Sequence, residues 1–302
     1  MDSNRLIDLH MHSVNSDGSE TTEQLLEQLF SLGVEIMSFT DHDSVDCYYD
    51  LKKLTNTYGR KMTIVKGVEF SFVYQEKLRD MLGYGIDIDK AKDFLNLKYS
   101  LDSRIMKQRG ILDKFKKICK SKGMIFDDSV DVSTGNKSEA FVVLYYELNK
   151  HKDNIDKFPF IIDNTSFYWK YFANMESDYY VSETEGLPTI DEIINVIKSC
   201  GGKPFLAHPF AYSRNMEHNN LFIKTAINKG IEGIEVKHSS NQDDDAVVLT
   251  KIAKSNNLLI SGGSDFHGKS KPKLKLVSGF DNMKVDYSEI SNWIDNIDKI
   301  LF

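Results

Sequence analysis

The side chains able to do chemistry in this chain fall into short, separated clusters. His10 and His12 stand two apart in Asp-Leu-His-Met-His, Asp17 follows in Ser-Asp-Gly, His42 lies in Thr-Asp-His-Asp, and Asp265 and His267 occur in Gly-Gly-Ser-Asp-Phe-His-Gly. In an extended segment successive side chains alternate between faces, so His10 and His12 project to one side and can grip a single ion. Asp265 and His267 repeat the spacing. Imidazoles and carboxylates without thiolates suit borderline or hard divalent ions such as Zn, Mn or Fe. A lone core histidine is usually only a hydrogen-bonded side chain, whereas several such clusters at successive strand ends point to one polynuclear metal site.

The elements that must carry these clusters are strand-like apolar runs alternating with amphipathic segments, the pattern of an α/β fold with parallel strands and helical crossovers. The predicted strands are Arg5 to His12, Val34 to Thr40, Met62 to Phe72, Arg79 to Ile86, Pro204 to His208, Gly233 to Lys237 and Leu258 to Gly262. Thr21 and Gln24 form a capping box for a helix closed by Gly33, and Thr189 with Glu192 opens another that ends at Gly201-Gly202. Further helices are predicted from about Ser44 to Tyr58, Asn220 to Lys229 and Asp243 to Ser255. The clusters fall where predicted strands end, which in a parallel barrel is where loops assemble an active site.

One stretch breaks the alternation. From about Asp89 to Glu185 no strand is evident; a periodic segment from Ala91 to Lys122 ends at Gly123, and aromatic-rich helical pieces run from Phe141 to Phe172. The expected organisation is a barrel made of residues 1–88 and 186–302, with 89–185 as a helical insertion capping its mouth. The plainer alternative is a pair of crossover helices with a long loop, although connections of that length are uncommon unless functional.

Composition sets wider bounds. With 302 residues, 41% hydrophobic and 27% charged, the chain can bury a sizeable core. Met-Asp-Ser-Asn-Arg lacks the apolar stretch of a signal peptide, and no apolar run approaches the roughly 20 residues of a membrane span, so a cytoplasmic protein without membrane partners is expected. Cys47, Cys119 and Cys200 are far apart and form no C-x-x-C, which points to buried free thiols. A formal charge of −7 argues against an extended grip on long nucleic acid, while leaving room for a local basic pocket that takes a small anion.

Taken in order, H-x-H, S-D-G, T-D-H-D, G-V-E-F-S, A-H-P and G-G-S-D-F-H-G resemble the PHP family, the polymerase and histidinol phosphatase group of metal-dependent phosphoesterases. The stretch between L-G-Y-G-I-D and G-G-K-P-F-L-A-H-P, followed by G-I-E-G-I-E-V-K-H-S-S, is similar to the branch acting on nucleoside 3′,5′-bisphosphates or very short RNA. The resemblance implies a distorted (β/α)7 barrel of the PHP type and two or three divalent ions, Mn, Zn or Fe. One ion would be held by His10, His12, Glu69 and Asp265, a second would share Glu69 with His208, and a third would sit among Asp17, His42 and His267. Asp80 stands where the family usually carries His before the L-G-Y turn, and it either ligates the second ion or turns away. Relatives also often carry an Arg-Pro-His element in the helical stretch, where this chain has Gly135-Asn136-Lys137-Ser138-Glu139.

Ions so held would generate a bridging hydroxide near neutral pH and neutralise charge on a phosphoryl group during in-line displacement, with Glu69 as the bridging carboxylate. Asp41 and Asp43 either orient ligands or cap the following helix. Arg104, Lys107 and Arg109 are candidates for binding a substrate phosphate, or else form a solvated helix face. His238 is a candidate phosphate contact or leaving-group acid, or else a surface residue; His151 and His218 read as solvent residues. The expected activity is hydrolysis of a phosphate ester of a small metabolite, a nucleotide or very short RNA. The alternatives are a histidinol phosphatase, which hardly needs so large a cap, and a barrel that has lost activity and serves as a binding or regulatory module.

Overall fold

The computed structural model describes residues 5–54, 61–135, 138–184, 186–242 and 244–302. The end of the helix expected to reach Tyr58 therefore lies outside the described residues, as do Asp243, Asn136 and Lys137. The strands are β1 Leu6–Asp8, β2 Val34–Met37, β3 Thr63–Val65, β4 Gly67–Tyr74, β5 Lys77–Tyr84, β6 Lys203–Leu206, β7 Gly233–His238, β8 Leu259–Gly263 and β9 Lys299–Leu301. They form two sheets, ordered β1-β2-β3-β9 and β4-β5-β6-β7-β8.

Two expectations about the strands are corrected. The run from Met62 to Phe72 is not one strand: the chain leaves β3 at Val65 and enters the other sheet at Gly67. Gly67 donates its N–H to the Tyr48 hydroxyl at 2.6 Å, and a Cβ there would lie 2.3 Å from Ser38 Oγ, so only glycine passes this point. Nor are the strands all parallel. β5 runs antiparallel to both β4 and β6, and β9 is antiparallel to β3. β4 and β5 form a hairpin whose turn residues Gln75 and Glu76 both have positive φ, 49° and 60°, the backbone that a tight two-residue turn demands.

The helices start and stop where their caps dictate. Thr22–Leu32 has the Thr21/Gln24 capping box and a left-handed Gly33, and Ile190–Ser199 has the Thr189/Glu192 box. The periodic segment beginning near Ala91 is two helices, Ile88–Lys98 and Leu101–Ser121, because Ser100 caps the second by accepting the Ser103 N–H at 3.2 Å. Met216–Lys229 begins earlier than its apolar pattern indicates, since Asn215 Oδ1 accepts from the N–H groups of Glu217 and His218.

The chain divides into two compact units, Met1–Phe94 with Pro188–Phe302, and Leu95–Leu187. In the first, Ile7, Leu9, Ile36, Val65, Leu82, Phe205 and Ile290 pack with Trp293, whose indole N–H donates to the Ile260 carbonyl at 2.9 Å. The second is built on aromatic contacts, with the Phe141 ring centroid 5.0 to 5.4 Å from those of Phe172, Tyr168 and Phe167. Cys47, Cys119 and Cys200 are buried free thiols. Among the described residues no helix is long and apolar enough to cross a membrane.

Trp293→Ala should cost about 3–5 kcal/mol, because it removes a fully buried indole and leaves both a cavity and an unpaired Ile260 carbonyl. Urea unfolding followed by far-ultraviolet circular dichroism measures this, and an unshifted midpoint would contradict the packing described.

Candidate metal centre

Glu69 lies in β4, fully buried, and four imidazoles converge on its carboxylate. Oε2 is 3.1 Å from His10 Nε2, 3.2 Å from His12 Nε2 and 3.3 Å from His42 Nδ1, and Oε1 is 2.8 Å from His208 Nε2. Asp265 Oδ1 closes the group at 3.2 Å from His12 Nε2 and 3.6 Å from His10 Nε2. These spacings fit an ion: four donors about 2.0–2.1 Å from a tetrahedral centre stand about 3.3 Å apart. The His10 and His12 Nε2 atoms are only 3.1 Å apart, an approach that two lone pairs tolerate when a proton or a cation lies between them.

The other expected residues gather around this core. His267 Nε2 is 3.3 Å from Asp17 Oδ1, His42 Nε2 is 4.0 Å from Asp17 Oδ2, and His12 joins them in a second group that could hold an ion. His208 groups with His10, His238 and Glu235, while Asp80 groups with His42 and Glu69. Asp80 faces the cluster: Oδ1 is 4.0 Å from His42 Nδ1, Ser71 donates to Oδ1 at 3.2 Å, and Tyr212 donates to Oδ2 at 2.7 Å. Burial and the neighbouring Glu69 charge raise its pKa. His238 is buried and not a surface residue. Among the described residues the buried His42 Nδ1, His208 Nδ1 and His238 Nε2 make no hydrogen bond of good geometry, although His42 Nδ1 stands 3.3 Å from Glu69 Oε2 and His238 Nε2 3.5 Å from Asp265 Oδ2, so these nitrogens could serve an ion.

Arg104, Lys107 and Arg109 lie on Leu101–Ser121 in the other unit. Arg109 is engaged by Asp131, donating from Nε at 3.1 Å and from an Nη at 2.8 Å. Gly135 packs against Arg104. His218 is exposed, and His151 stands 3.5 Å from Glu147.

Of the carboxylates that steady the ligands, Glu235 and Asp8 are not among the residues expected from the sequence, whereas Asp41 and Asp43 are the pair expected either to orient ligands or to cap a helix. Glu235, fully buried in β7, accepts from His10 Nδ1 at 2.9 Å through Oε1 and from the His208 N–H at 2.8 Å through Oε2. The first contact leaves His10 Nε2 directed at the cluster; the second steadies a backbone whose φ of 21° is strained, especially before Pro209. Asp8 accepts from Ser264 N at 2.9 Å, Ser264 Oγ at 2.7 Å and Val277 N at 2.7 Å, tying the segment after β8 to β1. Asp41 accepts from Ser13 N, Ser13 Oγ and Ser16 Oγ at 2.6 to 2.7 Å, ordering the loop that carries Asp17, and Asp43 accepts from the Ser71 N–H. In a strand, Glu235 is simply the polar member of an alternating run, so only its place directly before Val236-Lys237-His238 hinted at a role.

The electrostatics follow from this crowding. Burial disfavours charge on His12 and His208, but carboxylates outweigh it, Asp265 and Glu69 lifting His12 to about 9 and Glu69 lifting His208 to about 8. A cation competes with those protons for the same atoms. Ion affinity should therefore climb between pH 6 and 8, by about tenfold per pH unit for each proton displaced, and calorimetry in buffers of different ionisation enthalpy should register proton release. A flat profile would contradict the shared-atom geometry. Glu235→Gln should weaken ion affinity by about tenfold to a hundredfold with the fold intact, the usual consequence of loosening a ligand's orienting carboxylate. Equilibrium dialysis measures this, and affinity equal to wild type would show that His10 needs no such support.

Comparison with known proteins identifies the family. The PHP domain pattern matches residues 8–200. The chain is 24% identical over 263 residues to the 5′-3′ exoribonuclease Rnm of Escherichia coli, covering 87% of this chain and 85% of the relative. It is 27% identical over 269 residues to the phosphoribosyl 1,2-cyclic phosphate 1,2-diphosphodiesterase of Eggerthella lenta, covering 87% and 94% respectively. A Bifidobacterium adolescentis protein described as a candidate metal-dependent phosphoesterase has a similar fold, with a TM-score of 0.61, 22% identity, and coverage of 97% of this chain and 96% of that one. On the domain match, the chain belongs to the PHP domain family.

Proposed function

We propose that this chain is a metal-dependent phosphoesterase that hydrolyses a phosphate ester of a small phosphorylated metabolite, such as a nucleoside 3′,5′-bisphosphate or very short RNA. The observation that carries the reading is the convergence of His10, His12, Glu69 and Asp265 at ion-binding separations in a buried centre. In this reading these four hold one ion, Glu69 with His208 and Asp80 holds a second, and Asp17, His42 and His267 hold a third. Zn, Mn or Fe suits such donors. Bound there, the ions supply Lewis acidity and lower the pKa of water. Glu69 keeps the ligand nitrogens together, Glu235 sets the direction of His10, and His238 contacts the phosphate or donates a proton to the leaving oxygen. The Escherichia coli and Eggerthella lenta relatives support a ribose-containing phosphoester, since the first is an exoribonuclease and the second acts on a phosphoribosyl cyclic phosphate.

The two sheets are read together as a distorted (β/α)7 barrel of the PHP type, with residues 89–185 as a helical cap. Arg104, Lys107 or Arg109 would bind a second substrate phosphate from that cap, Arg109 by exchanging Asp131 for it.

A phosphate-release panel with Mn, Zn and Fe, covering nucleoside bisphosphates, histidinol phosphate and short RNAs, tests the activity. Turnover of a ribose phosphoester above the other substrates is expected; no hydrolysis under any ion would leave the chain a binding module. Asp80→Ala should lower the affinity of the second ion specifically, whereas Asp80→His should keep activity and shift preference toward Zn, imidazole being the softer donor. Unchanged ion content in both variants would remove Asp80 from the ligand set. Neutralising the responsible cap residue should reduce kcat/KM on a bisphosphate about tenfold to a hundredfold more than on an aryl phosphate, because a contact to a remote group helps only substrates that possess it. Equal losses on both substrates would refute a role in binding a second phosphate.

A further inference from the structure

We propose that Lys271 is the cationic substrate-binding residue of this centre, donating from Nζ to the oxygens of the phosphoryl group; the proposal rests on the phosphoesterase reading above. The two oxygens of Asp265 face different surroundings. Oδ1 lies among the ligand nitrogens, 3.2 Å from His12 Nε2, 3.6 Å from His10 Nε2 and 3.5 Å from His267 Nδ1. Oδ2 instead receives Lys271 Nζ at 2.7 Å and stands 3.5 Å from His238 Nε2. Lys271 and His238 thus meet at one edge of the cluster. Asp265 keeps only 12% of its side chain exposed whereas Lys271 keeps 44%, so the ammonium belongs to a side chain that reaches from solvent to the buried carboxylates.

The backbone beneath this lysine is built to hold it there. Gly268 takes a positive φ of 62°, and a Cβ at that position would lie 2.2 Å from Ser19 Oγ. Lys269 N donates to Ser19 Oγ at 2.6 Å, and Ser270 Oγ donates to the Asp17 carbonyl at 3.2 Å, which anchors the turn to the segment bearing Asp17. Lys271 N donates to the Gly268 carbonyl at 3.1 Å, and the lysine's own carbonyl accepts from Leu274 N at 3.0 Å. Pro272 restricts Lys271 further. Fixed main chain and a flexible four-carbon stem suit an ammonium that exchanges a carboxylate for a phosphate within a short arc.

The chemistry of the cluster calls for such a group. Its candidate ligands are all imidazoles and carboxylates, and Glu69, Asp80, Glu235 and Asp265 bring negative charge that repels a phosphate dianion. A lysine beside the ions offsets that repulsion and supplies charge-assisted hydrogen bonds. An ion pair this exposed contributes little to stability, so holding the fold together is a poor account of a lysine placed here.

The test uses ion-loaded full-length protein, with inorganic phosphate as the probe in isothermal titration calorimetry. Lys271→Met should weaken phosphate binding roughly tenfold to a hundredfold, and lower kcat/KM on an aryl phosphate in step, while elemental analysis shows unchanged ion content. Lys271→Arg, which keeps the charge, should restore most of both. Phosphate affinity and kcat/KM equal to wild type in Lys271→Met would overturn the proposal. So would loss of ions in that variant, because Lys271 would then be serving Asp265 and not the substrate. Either result in a protein whose wild type hydrolyses phosphoesters leaves the phosphoesterase reading standing, whereas a wild type that neither binds phosphate nor hydrolyses any ester overturns both.

Discussion

The structure around the centre is governed by the cost of burying the Glu69 carboxylate. A carboxylate with no exposed surface survives only if the surroundings return what water would have given it, and here His10, His12, His42 and His208 do so from three different parts of the chain. Those imidazoles hold Glu69 well below the usual carboxylate range despite its burial. The same grouping concentrates donor atoms that repel one another unless protons or cations sit between them. A site of this kind is at once a burden on folding and a place where a divalent ion is bound strongly.

The surrounding hydrogen bonds are best understood as the means of keeping these donors aligned. Asp8, Asp41 and Glu235 are each fully buried, and each spends its oxygens on backbone N–H groups, hydroxyls or an imidazole next to a candidate ligand. Tyr48 donates to the Phe39 and Val65 carbonyls and Tyr84 to the Leu9 carbonyl, joining the strand ends from which the ligands leave. Strain gathers here as well: His208 and Asp265 both adopt positive φ, 21° and 57°, a cost that the network around them sustains.

Much of this was legible in the sequence because the signals are local. The His10-x-His12 spacing, the Thr21 and Thr189 caps and the glycine at 33 follow from local backbone geometry, whereas Asp265 and His267 meet the cluster through a left-handed Asp265 beyond the end of β8, and the structure brings every candidate ligand from His10 to His267 into the same neighbourhood. What stayed hidden depends on tertiary contacts. Gln75-Glu76 lacks the Asn or Gly that advertises a tight turn, so the antiparallel β4-β5 hairpin was invisible. The break at Lys66 arises from Ser38 and Tyr48, neither of them near it in sequence. Glu235 reads as an ordinary strand residue, and Lys271 is one lysine among those from Lys269 to Lys275 until Asp265 singles it out.

Whether the buried cluster binds ions is decided by anomalous diffraction from crystals soaked in Mn or Zn, with elemental analysis of the same preparation. At least two divalent ions per chain are expected, one among His10, His12, Glu69 and Asp265 and another within reach of Glu69 or Asp17. Less than one ion per chain after reconstitution, with no anomalous density among these residues, would contradict that expectation.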